Sequence, residues 1–247
     1  MKCVIFCGGK GTRMGESANG LPKPLLKVGD KPILVHIMNH YATYGVKNFI
    51  LCLGFYGEKI KSYFSENPPD YSIQMVDTGE DSTKAERLFK VRDLLRGEDN
   101  FFVSYGDDLS NVNISELKNF HEKEGKSVTL TAIKLPNPYG VLEFDEVKPM
   151  IVSGFKEKPL MNEWVNGGYF VFKNRVLDFL YAGKDLEKEI FGELSRDKEI
   201  AAFRHAGFWK SMNTMKDHIE LNELFESGEL DKIFKQNKRE TKSYESQ

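Results

Sequence analysis

Five residues within the first 23 are equipped to handle phosphate. Gly8, Gly9 and Gly11 follow a short apolar run, and Arg13 and Lys23 stand in the polar stretch behind it, Lys23 between Pro22 and Pro24. Glycines placed directly after a strand let the backbone turn sharply and aim N–H groups at an anion. Two cations on the same loop would neutralise a phosphate held there. Pro22 and Pro24 are expected to keep Lys23 extended and out of a helix. A dinucleotide fingerprint fits this stretch poorly, because its spacing puts the third glycine at Met14 and a long polar loop displaces the helix start. A P-loop fails because no Gly-Lys-Ser/Thr closes the run. A nucleotide held in some third way, or a plain turn without a ligand, are the readings left.

A second group could hold a metal. Asp107 and Asp108 follow the strand-like run NFFVSY, and a hard carboxylate at a strand's carboxyl end suits Mg²⁺ on phosphate oxygens. A solvated Asp-Asp turn is the bland alternative. Glu157-Lys158-Pro159 ends another strand-like run, and on its own reads as a surface turn. His36 and His40 lie one helical turn apart without a third ligand, which points to helix packing.

These residues need a scaffold, and the apolar pattern supplies one. KCVIFC, NFILCL, YSIQMV, NFFVSY and SVTLTAI read as strands, three of them nearly continuous in apolar residues, as in sheets covered on both faces. Amphipathic stretches alternate with them: ILVHIMNHYATYG, GEKIKSYFSEN before Pro68-Pro69, STKAERLFKVRDLL and NISELKNFHEKEG. The expected fold class is α/β, a Rossmann-like, mostly parallel sheet flanked by helices, with ligands at the carboxyl ends of its strands. After Pro136 a strand-rich second half follows, with YGVLEF, MIVSGFKEKP, WVNGGYFVFK, EIAAFRH and GFWKSMNT before a last helix MKDHIELNELFES. One domain is expected over 1–228, its nucleotide half about 1–110 and its acceptor half about 111–228, with 229–247 a polar, flexible tail.

Composition excludes several classes. The 247 residues carry 35 Lys plus Arg against 37 Asp plus Glu, so no basic field argues for nucleic acid. No run of 18 apolar residues suggests a membrane span, and MKCVIF passes into glycines too soon for a signal-peptide core. Cys3, Cys7 and Cys52 lack metal-ligand spacing and read as buried free thiols in a reducing compartment, which implies a cytoplasmic protein.

The stretch GGKGTRM…LPKPLLKVGDKPIL resembles the signature of the sugar nucleotidyltransferases, the nucleoside-diphosphate-sugar pyrophosphorylases. VDTGEDS, FFVSYGDDL, GFKEKP, VNGGYFVF and GFWKSMNT then follow in the order of one branch, the glucose-1-phosphate cytidylyltransferases, so that the resemblance covers about residues 1–228. It implies an Mg²⁺-dependent enzyme that joins CTP to a sugar 1-phosphate, feeding synthesis of surface polysaccharide or deoxysugars, and a homo-oligomer. By the same resemblance Gly8, Gly9, Gly11, Thr12 and Arg13 would hold the nucleotide, with Thr78, Ser82 and Arg87. Arg13 and Lys23 would be the catalytic cations and Asp107 the metal ligand, with Asp108 as a second candidate. Tyr139, Gly140, Glu157, Lys158, Asn166, Gly167 and Gly168 would contact the sugar. An apolar patch near Leu221 and Phe225 would suit the oligomer contact.

Two departures from that pattern stand out. Relatives carry an Asp as second metal ligand after GFW, where this chain has Asn213; its amide oxygen can bind Mg²⁺ but neutralises less charge. Asp217 could contribute instead, and Asn213 equally suits the cap of a helix beginning at Thr214. Ala85 and Glu86 replace a glycine pair in the base-binding stretch, narrowing room for close backbone approach. Another nucleotide, a non-sugar phosphorylated acceptor, and a non-catalytic nucleotide-sugar-binding protein therefore remain as alternatives, with a dinucleotide oxidoreductase behind them.

Overall fold

The computed structural model describes residues 1–9, 20–181 and 183–235. Gly11, Thr12 and Arg13 lie outside the described residues. A seven-stranded sheet forms the centre, in the order β12-β8-β11-β6-β1-β4-β5. Its strands are β1 (Cys3–Phe6), β4 (Asn48–Leu53), β5 (Ser72–Asp77), β6 (Asn100–Tyr105), β8 (Val128–Ile133), β11 (Val165–Lys173) and β12 (Ile200–Arg204). The hydrogen-bonded pairs are parallel except where β11 meets β6 and β8. Two short ribbons attach near the carboxyl ends: β2 (Lys27–Val28) with β3 (Lys31–Pro32), and β7 (Asp108–Ser110) with β13 (Trp209–Ser211). A third pair, β9 (Val141–Phe144) and β10 (Val152–Lys156), forms an arm between β8 and β11.

Alternate side chains of the strands feed two cores, one on each face. Cys3, Ile5, Leu51, Phe102 and Tyr169 pack with α1 (Ile33–Thr43), α2 (Gly57–Glu66), α4 (Ile114–Glu124) and α6 (Met215–Glu226). Val4, Phe6, Ile50, Phe101 and Phe170 pack with α3 (Lys84–Val91), a π-helical turn Leu186–Ile190 and α5 (Phe191–Arg196). This is the expected three-layer arrangement. The histidine pair is structural: His36 Nε2 meets Val28 O at 2.8 Å and His40 Nε2 meets Val112 O at 2.7 Å, so each ties α1 to a neighbouring segment. The three cysteines are free and buried.

Three expectations change. Residues 229–235 are helical, and Leu230 is buried while Phe234 packs on the core, so the domain runs past residue 228. Polar composition concealed one apolar stripe in a mainly charged helix. Leu221 and Phe225 offer no surface patch, because Leu221 is fully buried and Phe225 lies against Gly29 and the His36 ring. Lys23 begins a single 3-10 turn, Lys23–Leu25, closed by Leu26 N donating to Lys23 O at 3.0 Å, rather than an extended run. The prolines fit it, since Pro22 takes the cap position and Pro24 the first turn, where no N–H is needed.

Candidate active site

A cavity of about 790 Å³ opens at the carboxyl ends of β1 and β6, where the strand order predicts a ligand. Lys23 lies in its floor. Its Nζ donates to Asp107 Oδ2 at 2.8 Å and to Asn213 Oδ1 at 3.1 Å. The β7–β13 ribbon brings these partners together: Ser211 pairs with Asp108, and Met212 N donates to Asp107 O at 2.9 Å. Asn213 Nδ2 donates to Ser211 Oγ at 2.7 Å, which turns the amide oxygen toward Lys23.

Asn213 is not the helix cap. Thr214 caps α6, accepting from Asp217 N at 3.2 Å, and Asp217 Oδ2 accepts in return from the N–H groups of Thr214 and Asn213 at 2.8 and 3.0 Å. The same capping box occupies Asp217, which is therefore unavailable as a ligand in the cavity.

Asp108 is buried, whereas a solvated turn would leave it exposed. Burial pushes its carboxyl up to about 7, with the charge of Asp107 adding to the effect and a Ser211 hydrogen bond opposing it. Its carboxylate faces Gly168 in β11. Gly168 has φ +77, and a Cβ there would fall 2.3 Å from Asp108 Oδ2, so only glycine fits this bulge of β11.

At the end of β1, Gly8, Gly9 and Arg87 line the cavity, and Arg87 braces the glycine segment. Its Nη1 donates to Leu53 O at 2.9 Å and Thr78 Oγ1 at 2.6 Å; its Nη2 donates to Gly8 O at 2.9 Å and Glu80 O at 3.1 Å. One guanidinium thus joins the ends of β1 and β4 to the loop before α3. A Cβ on Gly8 would lie 2.2 Å from Arg87 Nη1, so the glycine makes room for the brace. Thr78 is fully buried and belongs to this brace, with its hydroxyl donating to Leu53 O at 2.5 Å. Ser82 lines the cavity. Ala85 is buried in the core, and Glu86 closes a capping box with Thr83 and accepts from Gly183 N at 2.9 Å. Both replacements of the glycine pair therefore serve α3 and point away from the cavity.

Around the end of β6 and the start of β11 the cavity contains a network that sequence reasoning missed. Tyr105 OH donates to Glu187 Oε1 and accepts from Asn166 Nδ2 at 3.1 Å, while Asn166 Oδ1 accepts from Gly168 N at 2.9 Å. Lys84 Nζ pairs with Glu187 and lies 4.3 Å from the centre of the Tyr105 ring. Tyr105 ends the strand that delivers Asp107, and Lys84 lies within the stretch from Ser82 to Arg87; those positions were the available signal. Glu187 had none. Trp209 Nε1 donates to Gly167 O at 2.7 Å and lines the cavity. Of the sugar-contact candidates, Asn166 alone lines it. Tyr139, Gly140, Glu157 and Lys158 stand outside, at the base of the β9–β10 arm, with Glu157 and Lys158 exposed and paired to each other at 3.6 Å.

Among the described residues, no group of three or more His, Cys, Asp or Glu is placed to hold a metal, and no helix is long and apolar enough to cross a membrane. Comparison with known proteins places the arrangement in context. The family described as Nucleotidyl transferase matches residues 2–228. A probable glucose-1-phosphate cytidylyltransferase of Bacillus subtilis is 37% identical, covering 93% of this chain and 98% of the relative. The glucose-1-phosphate cytidylyltransferase of Salmonella typhimurium is 35% identical over 92% and 97%. The crystal structure of HddC from Yersinia pseudotuberculosis shares the fold with a TM-score of 0.69 at 19% identity, over 91% of this chain and 99% of that one. HddC has also been solved in complex with GMP-PN, at 18% identity to this chain.

Proposed function

Because the chain belongs to the nucleotidyl transferase family, we propose that it transfers the cytidylyl group of CTP to a sugar 1-phosphate, with glucose 1-phosphate the first candidate. An acceptor phosphate oxygen forms a bond to the α-phosphorus as the bond from that phosphorus to the β-phosphate bridging oxygen breaks, releasing pyrophosphate. Two anions must meet, so catalysis is positioning and charge neutralisation rather than proton transfer.

The observation that carries this reading is Lys23, an ammonium held by one carboxylate and one amide in the cavity that Gly8 and Gly9 also line. There it can neutralise charge developing at the α-phosphate. Gly8 and Gly9 offer backbone to the nucleotide, and Arg87 fixes that backbone before any ligand arrives. The brace is buried at the back of the cavity lining and acts on the nucleotide through Gly8. Asn166 and Asp108 face the acceptor. Arg13 keeps its proposed role at the departing pyrophosphate.

The donor set also fits Mg²⁺. Asp107 and Asn213 already offer oxygens to a single cation, the Lys23 ammonium, and Mg²⁺ takes few protein ligands beside water and phosphate. Asp107 and Asn213 would hold it, with Asp108 adjacent, and it would supply further positive charge on the phosphates. We place the reaction in the cytoplasm, which the three free thiols support.

A second reading, the same chemistry on a non-sugar phosphorylated acceptor, is favoured by one observation: Glu157 and Lys158 stand outside the cavity. A panel of the four common NTPs against phosphorylated sugars and small alcohols, read by pyrophosphate release with Mg²⁺, tests both. CTP with glucose 1-phosphate is the expected best pair. Release with CTP and a non-sugar acceptor alone would select the second reading, release with another NTP alone would reject the base, and no release with any pair would point to a binding protein.

A further inference from the structure

At the start of β11, one exposed indole gathers two cations. Lys134 Nζ lies 5.3 Å from the centre of the Trp164 ring, and the Arg204 guanidinium carbon lies 5.2 Å from it. The sheet register puts them there. Ala132 is paired with Asn166 on one side and with Arg204 on the other. Paired neighbours, and residues two apart on a strand, share a face. Trp164 and Lys134 thus follow Asn166 and Ala132 on the face that Arg204 also occupies. Asn166 lines the cavity. Trp164 stands about 7 Å farther out along the same face, beyond the ends of β6 and β8.

The cluster is made of donors alone. An ammonium, a guanidinium and an indole N–H have no lone pair to offer. Among the described residues, none of the three has a hydrogen-bond acceptor or a carboxylate, whereas Lys84 and Lys156 hold Glu187 and Glu143. Attraction to the ring holds both cations without neutralising either, and Trp164 remains 40% exposed.

We propose that this cluster is a subsite for a second anionic group, a phosphate or a carboxylate, at the end of the acceptor remote from its reacting phosphate; the assignment rests on the nucleotidyl-transfer reading above. The reacting phosphate meets Lys23, so an acceptor that passes Asn166 brings its far end to the rim. Arg204 can take an anion there through two N–H groups, Lys134 adds a point charge, and the indole N–H is a further donor. A neutral hydroxyl in that place would leave both cations without a counter-charge.

Initial rates of pyrophosphate release with CTP and Mg²⁺ test the subsite on glucose 1-phosphate, glucuronic acid 1-phosphate and glucose 1,6-bisphosphate. KM is expected to be roughly tenfold lower for a doubly anionic acceptor, the equivalent of one hydrogen bond to a charged group, and the better of the two identifies the anion. Arg204→Ala and Lys134→Ala should each raise that KM roughly tenfold more than they raise KM for glucose 1-phosphate, and Arg204→Lys should restore part of the loss. Equal KM for all three acceptors overturns the subsite, as do variants that raise every acceptor KM alike. Failure of nucleotidyl transfer itself is read separately. Trp209→Phe leaves Trp164 the sole tryptophan, and its fluorescence should respond saturably to a doubly anionic sugar and lose that response when Arg204→Ala is added. If no pair releases pyrophosphate while this response persists, the transfer reading falls and the anion site stands. No response, or the same response to inorganic phosphate alone, overturns the site.

Discussion

Lys23 and Asp107, 84 residues apart in sequence, meet at 2.8 Å in the floor of the cavity, and Asn213 shares the same ammonium. Under the proposed function, the contact holds the lysine where phosphate charge would develop. Lys23→Ala is expected to lower kcat on the order of 10²–10³-fold, the usual effect of deleting one preorganised charge contact. His36→Ala should leave kcat near wild type and lower stability instead, because its ring binds the Val28 carbonyl. Steady-state kinetics and thermal melts of the two variants check this, and equal losses of kcat would remove Lys23 from the chemistry.

Asn213→Asp adds a charge beside Asp107. Mn²⁺ titration followed by paramagnetic resonance should show binding tighter on the order of tenfold, since affinity for hard cations rises with ligand charge. Unchanged binding would assign Asn213 to Lys23 alone.

Arg87→Ala takes the guanidinium donor from the Gly8 and Glu80 carbonyls and from the Thr78 hydroxyl, while Leu53 O keeps its bonds from Thr78. The expected cost is at least ~3 kcal/mol. For a domain of this size that lowers Tm by roughly 6–12 °C. KM for the nucleotide should rise and KM for the acceptor stay put, because the brace supports the Gly8 turn. Arg87→Lys keeps the charge but cannot fork between two strand ends, so it should recover only part of the loss.

Tyr105→Phe removes the hydroxyl between Glu187 and Asn166. Acceptor KM should rise roughly tenfold, the equivalent of one lost hydrogen bond to a charged group, with nucleotide KM unchanged. A rise in nucleotide KM alone would move this network to the other half of the cavity.

His121 is buried, its Nδ1 2.9 Å from Thr129 Oγ1 and its Nε2 3.2 Å from Asn100 Oδ1. Burial, helped by Lys173, lowers its pKa from 6.5 to about 4. Between those values the unfolded chain binds a proton that the folded chain refuses, so stability falls as pH drops from 6.5 toward 4. Urea melts across that window should show the slope in wild type and a smaller one in His121→Gln.

The sheet and its ligand edge were legible in the sequence because continuous apolar runs and helical periodicity are local signals. Gly8, Lys23 and Asp107 were legible for the same reason, lying at strand ends within marked turns. What escaped was long-range. Nothing near Glu187 announces Tyr105, 82 residues away. Arg87 lines the cavity, but its bracing role was hidden because its four acceptors, mostly backbone, have no sequence signature. Asn213 was ambiguous until the next residue, Thr214, took the cap. Composition misjudged 229–235, where Leu230 and Phe234 among charges were enough to dock a helix.

β11 runs against its neighbours, so it begins where β6 and β8 end. The whole excursion from β8 to β11 therefore leaves and returns at the rim of the cavity. Lengthening or trimming that excursion would leave every hydrogen bond of the seven-stranded sheet in place. Sequence drift there can alter what gathers at the mouth of the enzyme while its phosphate chemistry stays fixed, which makes residues 134–164 the segment to exchange when grafting a new specificity onto this scaffold.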